Sequence, residues 1–92
     1  VSEGVIRRRV KVHGRVQGVF FRDSTRQRAK AHGVAGWARN MPDGSVEAVL
    51  EGEPNAVQRL VHFLRSGPSH AQVEWVEVQE EDPEGLSGFS IR

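Results

Sequence analysis

The chain has 92 residues, 37% of them hydrophobic and 27% charged, which suits one small domain with a modest core and leaves little room for a second. The formal net charge of +1 implies no bulk attraction to nucleic acid or a membrane surface, and no apolar run is long enough to span a bilayer. Cys is absent, which excludes disulfides, thiolate nucleophiles and thiolate metal sites and suits a reducing compartment. A single domain over residues 1–92 and a cytoplasmic location are expected. Eleven Arg stand against two Lys, and Arg is the better bidentate partner for phosphate.

Val5 to His13 reads as the first strand. Ile6, Arg8, Val10 and Val12 share one parity and Arg7, Arg9 and Lys11 the other, so one face is expected to be wet. The run Arg7-Arg8-Arg9-x-Lys11 alternates between faces and forms no single stripe, so it is expected to be edge or surface charge. Gly14-Arg15-Val16-Gln17-Gly18-Val19-Phe20-Phe21-Arg22 follows, and a helix is expected from Phe21 to His32, stopped by Gly33. Phe21, Thr25, Ala29 and Ala31 are its buried candidates.

A strand, a glycine-containing loop and a helix start make a common anion cradle. The first N–H groups of a helix lack intrahelical partners, and the dipole adds partial positive charge there. The loop contains no Ser, Thr, Asp or Asn to cap those groups. Arg22 falls in the first turn, the wrong end of the dipole for a cation. A helical side chain leans toward its own N-terminus, so the Arg22 guanidinium can reach back over the loop.

Val34 to Asn40, with Trp37 inside it, reads as a short strand. Met41-Pro42-Asp43-Gly44 is a turn, and Ser45 to Glu51 alternates again, completing a β-hairpin over 34–51. Pro54 suits the first turn of a second helix. Val57, Leu60, Val61 and Leu64 give it an apolar stripe that reads as core, and Gly67-Pro68 ends it. Val73 to Glu80 is a strand, Glu80 to Glu84 an acidic solvated loop, and Phe89-Ser90-Ile91 a last short strand. The order β-α-β-β-α-β predicts a ferredoxin-like α+β sandwich, an antiparallel sheet with two helices on one face. Trp37 and Trp75 are expected in core or sheet packing. His13, His32, His62 and His70 have no pair at the spacing of a local metal motif.

The residues Val12-x-Gly14-Arg15-Val16-Gln17-Gly18-Val19-x-Phe21-Arg22 resemble the acylphosphatase family. So do Gly36-Trp37-Ala38-Arg39-Asn40, Asp43-Gly44-Ser45-Val46-Glu47 and Gly88-Phe89-Ser90-Ile91-Arg92. The resemblance spans nearly the whole chain, and its motifs arrive in order. It implies hydrolysis of acyl phosphates, the mixed anhydrides of a carboxylic and a phosphoric acid. It implies that Arg22 binds the substrate phosphate, with backbone N–H groups of Arg15, Val16, Gln17, Gly18 and Val19 cradling its oxygens. It implies that Asn40 positions the attacking water and that no metal or organic cofactor takes part. A small acyl phosphate is the expected partner, with inorganic phosphate or sulfate as alternative occupants. No nucleic-acid or membrane partner is expected, and the chain is expected to be a monomer. Met41 stands where many members have a small hydroxyl residue, and Phe20 fills a variable position beside the acyl side of the pocket.

Two rival readings follow from the same architecture. RNA-recognition domains share the sheet with two helices, but their aromatic signature is missing here. A phosphate-binding accessory module without turnover would also keep the loop.

Overall fold

The computed structural model describes residues 4–92. In chain order it contains β1 (Ile6–Arg15), α1 (Phe21–His32), β2 (Ala35–Asn40), β3 (Val46–Gly52), α2 (Pro54–Ser66), β4 (Gln72–Glu81) and β5 (Phe89–Ile91). The sheet runs β4-β1-β3-β2-β5. The first four strands pair antiparallel, as expected for a ferredoxin-like sandwich. β5 adds to the outer side of β2 in parallel, which makes the five-stranded sheet mixed.

The helices form where the periodicity puts them. On α1, Phe21, Thr25 and Ala29 are buried at four-residue intervals, whereas Ala31 lies on the solvent side. Gly33 ends the helix at φ 70°, a left-handed conformation that a residue with a Cβ resists, and its N–H bonds back to Lys30 O. On α2, Pro54 occupies the first turn; Val57, Leu60 and Leu64 are buried and Val61 half-buried. Phe63 is also buried, outside the expected stripe, because it meets the Phe21 ring of α1 at 6.5 Å. These side chains close over Val10, Val12, Val46, Ala48 and Leu50 of the sheet as one core. Among the described residues, no helix is long and apolar enough to cross a membrane.

The other sheet face corrects the expectation of loose surface charge. β1 lies in the interior of the sheet, between β4 and β3, and Arg7 is 3% exposed. Its guanidinium donates to Glu51 Oε2 at 2.7 Å and Glu81 Oε1 at 2.8 Å. Arg9 donates to Glu81 at 2.6 Å, and Arg9 and Arg39 both meet Glu47. Glu51 also accepts from the backbone N–H groups of Glu84, Gly85 and Leu86, which ties the 82–88 segment to the sheet. Glu81 therefore belongs to β4 and to this network, where the sequence suggested a solvated loop. Trp37 is buried beneath Arg9, Arg39 and Arg92, whose guanidinium carbons sit 5.6, 5.2 and 4.5 Å from its ring. Trp75 departs from the packing expectation: it is 53% exposed and stacks on His13 at 3.8 Å.

This network predicts loss of stability in acid. Hydrogen bonds from Arg9 and Arg7 lower the Glu81 pKa from 4.5 to about 2. Burial alone would raise that of Glu51, but the Glu84 N–H, Arg7 and the Leu86 N–H override it and hold the carboxyl below its ordinary value. A carboxylate whose pKa is depressed by folding stabilises the fold above its unfolded value. It loses that contribution as pH falls toward its folded value. The urea midpoint is expected to drop between pH 4.5 and about 2. Glu81→Gln should flatten that slope, and an unchanged slope would remove Glu81 from the acid response.

Charge is unevenly placed over this frame. Six of the thirteen Lys and Arg residues lie on α1 and α2, against one carboxylate, Asp23, which is paired with Arg26. From Gln72 to Gly88 the chain has six carboxylates and no Lys or Arg.

Candidate active site

The turn from β1 into α1 is built without a side-chain cap. Phe20 is the N-cap residue at φ 61°, ψ 26°, and no side chain bonds to the first helical N–H groups. It is the only non-glycine residue with positive φ among the described residues. A bulky residue in that region is strained, and such strain gathers at functional sites. Its ring is 78% exposed. The backbone N–H groups of Val16, Gly18 and Val19 donate to nothing among the described residues. These are uncommitted donors beside an uncapped helix start, the local features on which the expectation of an anion cradle rests.

Arg22 stands on the second residue of α1, and its Nη1 donates to the backbone O of Arg92 at 3.3 Å. That residue is fixed in turn: Arg92 N donates to Ala38 O at 2.8 Å, and its guanidinium covers Trp37. The parallel pairing of β5 with β2 therefore braces Arg22 from behind.

Asn40 is the last residue of β2, opposite Val46. In this register it shares the helix-covered side of the sheet with Ala38 and Val12, while Arg39 lies on the other side with Glu47. A locked turn follows at once. Met41 N donates to Ser45 O at 2.8 Å, and Gly44 N to Met41 O at 3.1 Å. Asp43 accepts from the Ser45 hydroxyl and N–H and pairs with Lys11. Those contacts hold its carboxyl well below the usual carboxylate range. Gln17 joins loop to turn, with Nε2 donating to Met41 O and Ser45 O, each at 2.9 Å.

Val16, Gly18, Phe20, Arg22 and Asn40 line one cleft of about 370 Å³, with Phe21, Asp23 and Ile91. Of the residues singled out in the sequence, Arg22, Asn40, Val16 and Gly18 meet here. Arg15 is exposed at the end of β1 and does not line the cleft, Gln17 is turned to the 41–45 turn, and Val19 packs against the core. Ile91 and Asp23 line the cleft without having been expected there. Ile91 arrives through the parallel β5 pairing, which no local pattern encodes. Asp23 compensates the helix dipole and binds Arg26 at 2.6 Å. The described residues contain no group of three or more His, Asp or Glu able to hold a metal ion.

Gln17→Ala removes one of the two donors to each of the Met41 and Ser45 carbonyls and should cost about 1–3 kcal/mol in a urea titration, about 0.5–1.5 for each lost bond. A change within error would mean that the two carbonyls find water as readily.

Residues 8–91 match the Acylphosphatase family profile. The chain is 62% identical to an acylphosphatase of Rubrobacter xylanophilus, over 91% of this chain and 77% of that protein. It is 56% identical to an acylphosphatase of Gloeobacter violaceus, over 94% and 92%. Its fold matches the structure of an acylphosphatase from Coxiella burnetii with a TM-score of 0.93 at 38% identity, covering 98% and 95% of the two chains. The profile runs from β1, through the uncapped loop and the β2 end, into β5, and on that span the chain belongs to the acylphosphatase family.

Proposed function

We propose that the chain hydrolyses the carboxyl–phosphate anhydride of a small acyl phosphate, giving a carboxylate and inorganic phosphate, in the cleft between Arg22 and Asn40. The observation that carries this reading is the meeting in one cleft of a braced guanidinium, an uncapped N–H cradle and an exposed carboxamide on a rigid turn.

Each part has one task. The Arg22 fork donates two parallel N–H groups to two phosphate oxygens. The N–H groups around Val16 to Val19 add fixed dipoles that need little reorganisation as charge moves during transfer. Asn40 accepts from the attacking water through its carbonyl or donates through its amide. It cannot act as a base near neutral pH, so it orients the water in line with the leaving group. The water's proton passes to a phosphate oxygen. The leaving group is a carboxylate, which departs without strong acid assistance. Phosphoryl transfer then rests on positioning and charge stabilisation, and Arg22 supplies the cation, so no metal is assigned to the step. The exposed Phe20 ring stands where the acyl group would lie. A cytoplasmic monomer of one domain fits a small, diffusible substrate.

The test is hydrolysis of benzoyl phosphate in EDTA, with an aryl phosphate ester as control. Cleavage of the anhydride alone supports the reading. Tight phosphate binding without turnover by folded protein would make the chain a phosphate-binding module instead.

A further inference from the structure

We propose that the groove between α1 and α2 is a second anion site, which takes a small molecule carrying two or more phosphate groups. This groove is larger than the cleft at Arg22, about 590 Å³ against 370 Å³, and that volume suits a small ligand. Its walls carry Arg28 and His32 from α1 and Asn55, Arg59 and His62 from α2, over a Phe63 floor.

The spacing makes these residues two facing stripes. Arg28 and His32 stand four apart on α1, and Asn55, Arg59 and His62 follow at intervals of four and three on α2. The α2 stripe runs beside the apolar one that enters the core, so folding leaves it on the outer surface. No carboxylate lines the groove, and α2 has none anywhere along its length. Arg59 has no ion-pair partner among the described residues, and Arg28 meets only the Phe63 ring, 4.4 Å away. Arg7, Arg8, Arg9, Lys11 and Arg39 of the sheet are paired with carboxylates, whereas Arg28 and Arg59 are among the helix cations that are not.

Facing cations without counter-charges repel one another, and the fold gains from these two guanidinium groups only the Arg28–Phe63 ring contact. An anion between the helices reverses the sign of that interaction. Two guanidinium forks on opposite walls, with imidazole and carboxamide donors between them, exceed what one phosphate uses. They match two linked phosphates, which present more acceptors over a longer span. The groove has no exposed aromatic platform on which a nucleic-acid base could stack, since Phe63 is 9% exposed beneath Arg28.

The experiment uses the full chain labelled with 15N and titrated with methylenediphosphonate, which stands in for two linked phosphates and cannot be hydrolysed. Saturable shifts are expected at Arg28, His32, Asn55, Arg59 and His62. Their half-saturation should be unchanged in Arg22→Ala and weakened about tenfold in Arg59→Gln, the loss of one charge-assisted contact. His62→Gln should weaken it in the same direction, and benzoyl phosphate turnover by both groove variants should stay at the parent level. Shifts confined to the Gly18–Arg22 loop and lost in Arg22→Ala would overturn the proposal. So would unsaturated shifts, or saturation by sulfate at the same concentration, which would reveal a diffuse field and no site for linked phosphates.

Discussion

Arg22→Ala is expected to lower kcat/KM for benzoyl phosphate by at least about 10²-fold, near 2.7 kcal/mol of transition-state stabilisation. Arginines that stabilise a transferring phosphoryl group are worth roughly 10³–10⁵ in rate. The braced geometry argues against the low end, because the Arg92 carbonyl already holds the guanidinium and little ordering is left for the substrate to induce. Inorganic phosphate should also bind more weakly to this variant. Arg22→Lys should remain poor, because an ammonium is a point charge that cannot engage two oxygens in parallel or keep the Arg92 contact in the same geometry. Circular dichroism would show whether the variants fold. Near-parental hydrolysis by folded Arg22→Ala would remove this residue from the mechanism.

Asn40→Ala should separate catalysis from binding. The carboxamide is assigned to the water, so its loss is expected to lower kcat by roughly 10²–10³, the usual cost of one preorganised transition-state group. Phosphate affinity, set by Arg22 and the loop, should change only a few-fold. The Asn40 side chain is exposed and the following turn is held by its own backbone bonds and by Asp43, so the fold should tolerate the change. Equal losses in kcat and phosphate affinity would instead place Asn40 on the phosphate.

The elements were legible because local pattern dictated them. The Phe21-Thr25-Ala29 spacing, the Gly33 stop, the hairpin over 34–51 and Pro54 at the start of α2 all appear in the structure within a residue or two. What stayed hidden depends on partners remote in the chain. Arg7 looked like a surface charge because its alternation places it on the polar face. It is buried because Glu51 and Glu81, 44 and 74 residues away, meet it there. Glu81 was obscured by its acidic neighbours, which resemble a loop until the β1 pairing extends the strand. Phe63 entered the core through Phe21 of the other helix rather than through its own stripe. At the candidate site, Arg22 and the loop could be read from one contiguous stretch. The left-handed Phe20 could not, because glycine is the usual mark of that conformation and Phe stands in its place. The resemblance brought Asn40 forward, and only the β2–β3 register shows which side of the sheet it occupies.

The separation of cations on the helices from carboxylates between Gln72 and Gly88 makes this nearly neutral chain an electric dipole. Two copies can therefore attract head to tail, although their net charges are almost too small to repel. Such attraction is strongest when the Debye length exceeds the separation of the patches and fades when salt shortens it to about 10 Å or less. The protein should thus salt in, with lowest solubility and largest light scattering in dilute buffer near neutral pH. It should also be retained on both anion and cation exchangers, each resin meeting a different side of the molecule.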